Sequence, residues 1–138
     1  MLDPAVIDMM VFCTKNPSPM FDSFALLEPF DTFWFVTITP YGKEIEPRVP
    51  DKEQVMDSFL RLSGLVGAGR MSWRYDPIFI SRKYSIDYHI KQFECMAGRL
   101  RGRSVPVCWE QTSVLTIPAA TAACTATRIT TGSRFGGT

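Results

Sequence analysis

The stretch Arg74-Tyr75-Asp76-Pro77 holds residue types that could bind or act on a small ligand. It follows a short run of bulky residues typical of a strand, and Pro77 favours extended geometry at Asp76 and stops regular strand pairing. Polar side chains therefore come at the carboxyl end of a strand, where α/β folds place their sites. Arg74 could clamp a carboxylate or phosphate, and Asp76 could orient a hydroxyl or ammonium group. A buried Arg–Asp pair that closes a loop would leave the same pattern.

Polar residues also follow the two earlier predicted strands. Lys15 and Asn16 come after the apolar segment 6–13, and Thr39 and Tyr41 come at the end of segment 32–39, which is rich in β-branched and aromatic residues. The carboxyl ends of parallel strands meet at one edge of a sheet, so we expect these groups to form one site. The candidate binding residues are Lys15, Asn16, Thr39, Tyr41, Arg74, Tyr75 and Asp76, and the pattern assigns none of them a catalytic role.

Three helices are predicted between and after these strands. Ser18 is expected to cap the first, with Pro19 at its first helical position. Asp51 is expected to cap the second in a capping box with Gln54, and Ser85 to cap the third. The order strand–helix, three times over, predicts an α/β fold of three successive βα units with parallel strands, part of a TIM-like (βα) barrel.

The apolar spacing of the third helix predicts its buried side. That side comprises Ile86, Ile90, Phe93, Met96, Ala97 and Leu100. His89 lies off this stripe, which is more typical of a solvated or packing histidine than of a catalytic one. Cys13, in an apolar strand, and Cys95, on this helix, are expected to be buried structural thiols.

Composition and cysteine spacing limit the functional classes. The chain has 138 residues, of which 46% are hydrophobic and 21% charged, and a formal net charge of +1. These values indicate an ordinary globular protein and give no electrostatic footprint for nucleic acid or a membrane surface. The amino terminus shows no secretory pattern, so a cytoplasmic location is expected. None of the four cysteines forms a C-x-x-C pair and there is one histidine, so we expect no metal site and no cofactor in this chain. The expected partner is an unidentified small molecule.

Two segments of different character divide the chain. Residues 1–103 are predicted to form the partial barrel, whereas residues 104–138 are rich in Thr, Ala, Ser and Gly and are predicted to be an irregular, disordered tail. Three parallel strands alone leave both sheet edges exposed. We therefore expect marginal stability and non-specific self-association through those edges.

Several motifs, in the same order, resemble a known family. They are the segments 11–20, 37–47, 50–52, 73–78 and 84–89, within residues 8–101. These resemble the bacterial and archaeal family known as domain of unknown function 1848, which usually has Trp where Cys13 stands. The resemblance implies a (βα) barrel and a terminal segment similar to the radical S-adenosylmethionine pattern C-x-x-x-C-x-x-C. Such a segment would hold a [4Fe–4S] cluster that binds S-adenosylmethionine in the intact parent protein.

The chain departs from that family pattern. Set against what the resemblance implies, we expect this chain to lack the family's first strand, the long segment that would follow Arg101 and the cysteine motif. A shifted reading of Gln111 to Ser133 can restore the three cysteines from adjacent codons, for example those of Pro118 and Ala119. We therefore predict that residues from about Trp109 are frameshifted.

Two functions follow as alternatives. The chain is a fragment of a radical S-adenosylmethionine-like barrel enzyme, inactive because the cluster cysteines are missing. Alternatively, it is a non-redox module that binds a small molecule or a partner at the candidate residues.

Overall fold

The sheet is open and parallel, with strand order β1-β2-β3. The computed structural model describes residues 2–104 and 114–116. The sheet strands are β1 (Met10–Thr14), β2 (Thr32–Thr37) and β3 (Met71–Arg74). A 3₁₀ helix (Ser18–Leu27) joins the first two, and α1 (Lys52–Val66) with a 3₁₀ turn (Ala68–Arg70) joins the last two. β4 (Ile78–Ile80), α2 (Ile86–Leu100) and β5 (Val114–Thr116) follow. The predicted α/β fold of parallel strands alternating with helices is thus confirmed.

The helices pack on one face of this sheet. Register aligns Phe12 with Trp34 and Trp34 with Met71, so one row of large side chains crosses the sheet. The Phe12 and Trp34 rings stack with centroids 4.2 Å apart. Phe59 of α1, with none of its surface exposed, belongs to the same buried cluster. Burial of this apolar surface supplies the main driving force for folding.

The second face of the sheet is less covered. It carries the alternate side chains of each strand: Val11, Cys13, Phe33, Phe35 and Ser72. Val11 is 57% exposed, Phe33 and Phe35 are half-buried, and Ser72 is buried. This face continues towards the carboxyl ends of the strands, where the polar candidates lie.

Some predicted element boundaries were wrong. The first strand is residues 10–14 rather than 6–13, and β2 ends at Thr37 rather than Thr39. The first helix is 3₁₀, and its N-cap is Pro17 rather than Ser18. Asp51 does occupy the N-cap of α1 but makes no side-chain cap, so the predicted capping box does not form. Asp51 instead lies 3.7 Å from the ammonium group of Lys43.

The predicted buried side of α2 was partly wrong. Its N-cap is Ser85 as predicted, with Oγ accepting a hydrogen bond from the Tyr88 amide. Ile86 and Ile90, however, are 63% and 52% exposed, whereas His89 is only 6% exposed. His89, Phe93, Met96 and Leu100 share one helical face, and that face turns inwards. The spacing of α2 allows two overlapping apolar faces, one through Ile86 and Ile90 and one through His89. The prediction of the face through Ile86 and Ile90 was wrong.

Both described cysteines also differ from expectation. Cys13 and Cys95 are free and exposed rather than buried. Cys13 faces the second side of the sheet, and Cys95 precedes the buried Met96 on α2, so each lies beside a core position without occupying one.

Part of the predicted irregular tail is a strand. β5 pairs in parallel with β4, from Ile78 opposite Val114 to Ile80 opposite Thr116. Residues 105–113 and 117–138 lie outside the described part of the chain. Most of the predicted tail and of the segment predicted to be frameshifted therefore lies outside it too. Among the described residues, neither helix has the length and apolar character that a membrane span requires.

Candidate functional site

Glu46 connects the carboxyl ends of β1 and β2. One carboxylate oxygen pairs with the ammonium group of Lys15, and the other accepts a hydrogen bond of 2.7 Å from Thr39 Oγ1. The Glu46 side chain is 13% exposed and that of Lys15 is 40% exposed. Two predicted site residues are therefore brought together, and a third, unpredicted one holds them.

Arg74 and Asp76 form a second polar pair at the carboxyl end of β3. The guanidinium Nη2 lies 3.6 Å from Asp76 Oδ2, too far for a hydrogen bond. The other oxygen, Asp76 Oδ1, is buried and has no hydrogen-bond partner among the described residues. The Arg74 side chain is 36% exposed. Donors on Arg74 are thus left for another group, whereas Asp76 Oδ1 is closed to solvent.

The two pairs lie on the same side of the sheet. Ile38 and Tyr75 point into the core, so strand alternation turns Thr39 and Arg74 towards the second face, and Asp76 lies beside Arg74. Register pairs Thr37 with Arg74 across β2 and β3. We call Lys15, Thr39, Glu46, Arg74 and Asp76 the polar rim.

Tyr41 supports the rim through its hydroxyl. The hydroxyl donates to the Pro77 carbonyl at 2.8 Å and accepts from the Phe79 amide at 3.1 Å. Burial, with smaller contributions from the negative charges of Glu46 and Asp76, raises the Tyr41 pKa to about 12, although the hydrogen bond from the Phe79 amide opposes this shift. Both carboxylates therefore lie within electrostatic range of one hydroxyl. Tyr41, a predicted binding residue, fixes the loop after β3.

Tyr75 points away from the rim and into the core. Its hydroxyl lies 2.9 Å from His89 Nδ1, while His89 Nε2 lies 3.0 Å from the Phe79 carbonyl. Because a carbonyl can only accept, Nε2 carries a proton, and in the neutral imidazole Nδ1 then accepts from the Tyr75 hydroxyl. Burial raises the Tyr75 pKa above its ordinary value. Tyr75 is therefore bound internally rather than presented at the rim.

Asn16 is used in the turn after β1. Its side-chain oxygen accepts from the Ser18 amide at 3.2 Å, and its own amide donates to Thr14 Oγ1 at 3.0 Å. Asn16 thus stabilises the turn between β1 and the 3₁₀ helix and orients the loop that carries Lys15.

A cleft of about 350 Å³ lies beside the rim, between the loop after β2 and the start of α2. Its lining includes Tyr41 and the rim residue Glu46. Most of its other charged groups are already paired: Glu44 binds both Lys83 and Tyr84. These hydrogen bonds hold the Glu44 pKa at about 2.

Sequence reasoning did not single out Glu46, and it wrongly placed His89 off the buried stripe of α2, although the packing role it allowed for that histidine is the one observed. Glu46 is one of several charged residues in the loop 43–48, and only the fold shows which of them reaches Lys15. His89 could have been found from its spacing, since it lies four residues before Phe93 and seven before Met96, which both pack in the core.

The described residues do not fit an iron–sulfur cluster. No three of their His, Cys, Asp or Glu side chains converge to hold a metal ion. The other two cysteines, Cys108 and Cys124, lie outside the described residues.

Fold and site together define an α/β protein with an open parallel sheet and a polar rim at its carboxyl edge. A family model described as "Domain of unknown function (DUF1848)" matches residues 1–127. The chain therefore belongs to this family, as the motifs predicted, and the match extends past the predicted limit of residue 101. No curated protein and no solved structure matches the chain.

Proposed function

We propose that the chain is a non-redox module that binds a small polar molecule at the rim, through a carboxylate or phosphate held by Arg74. The observation that carries this proposal is the loose Arg74–Asp76 pair. Its 3.6 Å separation leaves the guanidinium donors unused by any described residue, and Asp76 Oδ1 is buried without a described partner. Arginine binds such anions in a bidentate manner, with about twice the strength of a neutral hydrogen bond.

The location supports the same proposal. Parallel α/β sheets bind ligands outside the carboxyl ends of their strands, and the rim gathers groups from the ends of β1, β2 and β3. The Glu46 bridge between Lys15 and Thr39 fixes two strand ends before any ligand binds. A pre-ordered site loses less conformational entropy on binding.

The experiment is a thermal-shift series on the full chain with small carboxylates and inorganic phosphate. Arg74→Gln removes the proposed anchor, and Arg70→Gln is the matched control. Arg70 precedes the same strand at its other end and pairs with Asp31 at 2.8 Å. The proposal expects a rise in melting temperature for the unaltered chain and Arg70→Gln, but not for Arg74→Gln. Equal rises in all three, or none, would overturn it.

A second candidate rests on the sequence resemblance and the shifted reading frame rather than on the described contacts. In it, the chain derives from a radical S-adenosylmethionine-like enzyme and is itself inactive. The test is DNA sequencing from the codon of Gly98 past that of Thr138. A shifted frame that continues through the three cysteines would support this candidate, and early stop codons in that frame would remove its basis.

A further inference from the structure

The cleft of about 350 Å³ between the loop after β2 and the start of α2 is lined by four carboxylates and three ammonium groups. Each carboxylate forms an ion pair, and the four pairs are Glu44–Lys83, Glu46–Lys15, Asp51–Lys43 and Glu53–Arg99. The remaining ammonium group, that of Lys52, donates to the neutral Gln92 Oε1 at 2.8 Å. A charged ligand would therefore have to compete with an existing partner at almost every one of these groups.

The paired groups in the cleft keep unused hydrogen-bonding capacity that a ligand can reach from solvent. An ammonium group has three donors, and a carboxylate has about four acceptor positions. Lys43 donates to the Val49 carbonyl at 2.6 Å and lies 3.7 Å from Asp51 Oδ1. The side chains of Lys43 and Asp51 are 58% and 69% exposed. Because a hydroxyl group both donates and accepts, neighbouring hydroxyls on one ligand can bind such a pair without breaking it.

Tyrosine rings form an ordered wall of the same cleft. Tyr88 is half-buried, and its hydroxyl donates to the Pro40 carbonyl at 2.9 Å. The Tyr84 ring lies with its centroid 5.3 Å from that of Tyr88, and the Tyr84 hydroxyl donates to Glu44. Both rings are thus fixed before a ligand binds. The face of an aromatic ring carries the negative end of its quadrupole, which attracts the weakly positive C–H groups of a sugar ring.

We propose that this cleft binds a neutral sugar, with its hydroxyls at the exposed ion pairs and its C–H face against Tyr88. The volume lies near the lower end of the roughly 300–1,000 Å³ typical of small-molecule pockets, which suits a mono- or disaccharide. This site is separate from the proposed anion site and does not use Arg74, which is not among the residues that line the cleft.

The test is NMR shift mapping of the isotope-labelled full chain with three neutral probes: methyl β-D-glucoside, methyl β-D-galactoside and methyl α-D-mannoside. Cyclohexanol is the matched comparison, since it has a six-membered ring and a single hydroxyl. We expect at least one glycoside to give saturable shifts of the amides of residues 42–44, 51–53 and 83–88. It should bind at least about tenfold more tightly than cyclohexanol, because hydrogen bonds to charged groups are typically worth that much. Cyclohexanol binding as tightly, or no saturable shift with any glycoside, would overturn the proposal.

One variant tests the role of the matched charges. Lys43→Ala leaves Asp51 without its cation, and both side chains are exposed, so the fold should be retained. The glycoside should bind about tenfold more weakly, whereas D-glucosamine, which is cationic below neutral pH, should bind more tightly than it does to the unaltered chain. A purely structural role for Lys43 would weaken both sugars together and overturn this assignment. Lys91→Ala is the matched control, since Lys91 is exposed on α2 and does not line the cleft.

Failure of this inference is distinguishable from failure of the proposed function. Arg74→Gln should keep glycoside binding unchanged, and loss of glycoside shifts in that variant would place the sugar at the rim and refute a separate site. A negative glycoside series leaves the anion site at Arg74 standing, and a negative anion series leaves the sugar site standing.

Discussion

Replacing His89 with alanine should strongly destabilise the protein. His89 is 6% exposed and bonds to both the Tyr75 hydroxyl and the Phe79 carbonyl. Alanine leaves the Tyr75 hydroxyl buried without this partner, at about 1–3 kcal/mol, and also removes the part-buried hydrogen bond to the Phe79 carbonyl, at about 1 kcal/mol. We therefore expect the free energy of unfolding to fall by about 3–4 kcal/mol, a large share of the roughly 5–15 kcal/mol of a typical domain.

Urea unfolding followed by tryptophan fluorescence measures this loss, because Trp34 and Trp73 are fully buried. Ile90→Ala is the control: its side chain is 52% exposed on the same helix, and its change should stay within about 0.5 kcal/mol. In a Tyr75→Phe background, the His89→Ala loss should shrink by about 1 kcal/mol, since no hydroxyl is left unpaired. A loss below about 1 kcal/mol for His89→Ala, or a larger one for Ile90→Ala, would refute the reasoning.

Three further predictions concern single side chains. Tyr41→Phe should cost about 1–2 kcal/mol at neutral pH by removing the Pro77 and Phe79 hydrogen bonds. Burial raises the Tyr41 pKa from 10.0 to about 12. The contribution of the Tyr41 hydroxyl to the free energy of unfolding is therefore present below pH 10 and is lost as the pH rises towards 12. In urea titrations at alkaline pH, Tyr41→Phe should therefore lose stability less steeply with pH than the unaltered chain. Glu44→Gln should lower the melting temperature most above about pH 5, and progressively less as the pH falls. The reason is that the hydrogen bond from Lys83 lowers the Glu44 pKa from 4.5 to about 2. A loss of melting temperature that does not depend on pH would contradict this prediction. Phe59→Ala should cost about 3–5 kcal/mol in urea unfolding, since Phe59 is completely buried, and a cost near zero would place it outside the core.

The fold was predictable because its strands and helices have clear local patterns. Segment 32–39 combines β-branched and aromatic residues, and Val55, Phe59 and Leu62 repeat at helical spacing, so both elements were found. Boundaries were harder because they depend on tertiary contacts. Thr39, for example, leaves the strand pattern to bind Glu46 across the loop.

The site was predictable only in its location. The position of polar residues at the ends of predicted strands identified Lys15, Thr39, Arg74 and Asp76 as candidates. It did not indicate which of the candidates face solvent. Tyr75 differs from its neighbours only by strand alternation, which turns it into the core towards His89. Its partner lies on another element, and no local sequence pattern indicates that contact.

The central claim is that a small ligand binds at the polar rim, and NMR shift mapping of the isotope-labelled full chain with small carboxylates and inorganic phosphate tests it most directly. We predict saturable shifts of the amides of residues 15, 37–39 and 74–76, abolished in Arg74→Gln and retained in Arg70→Gln. Shifts confined to Lys43, Lys83 and Tyr84 would place binding in the neighbouring cleft and contradict the claim, as would the absence of any saturable shift.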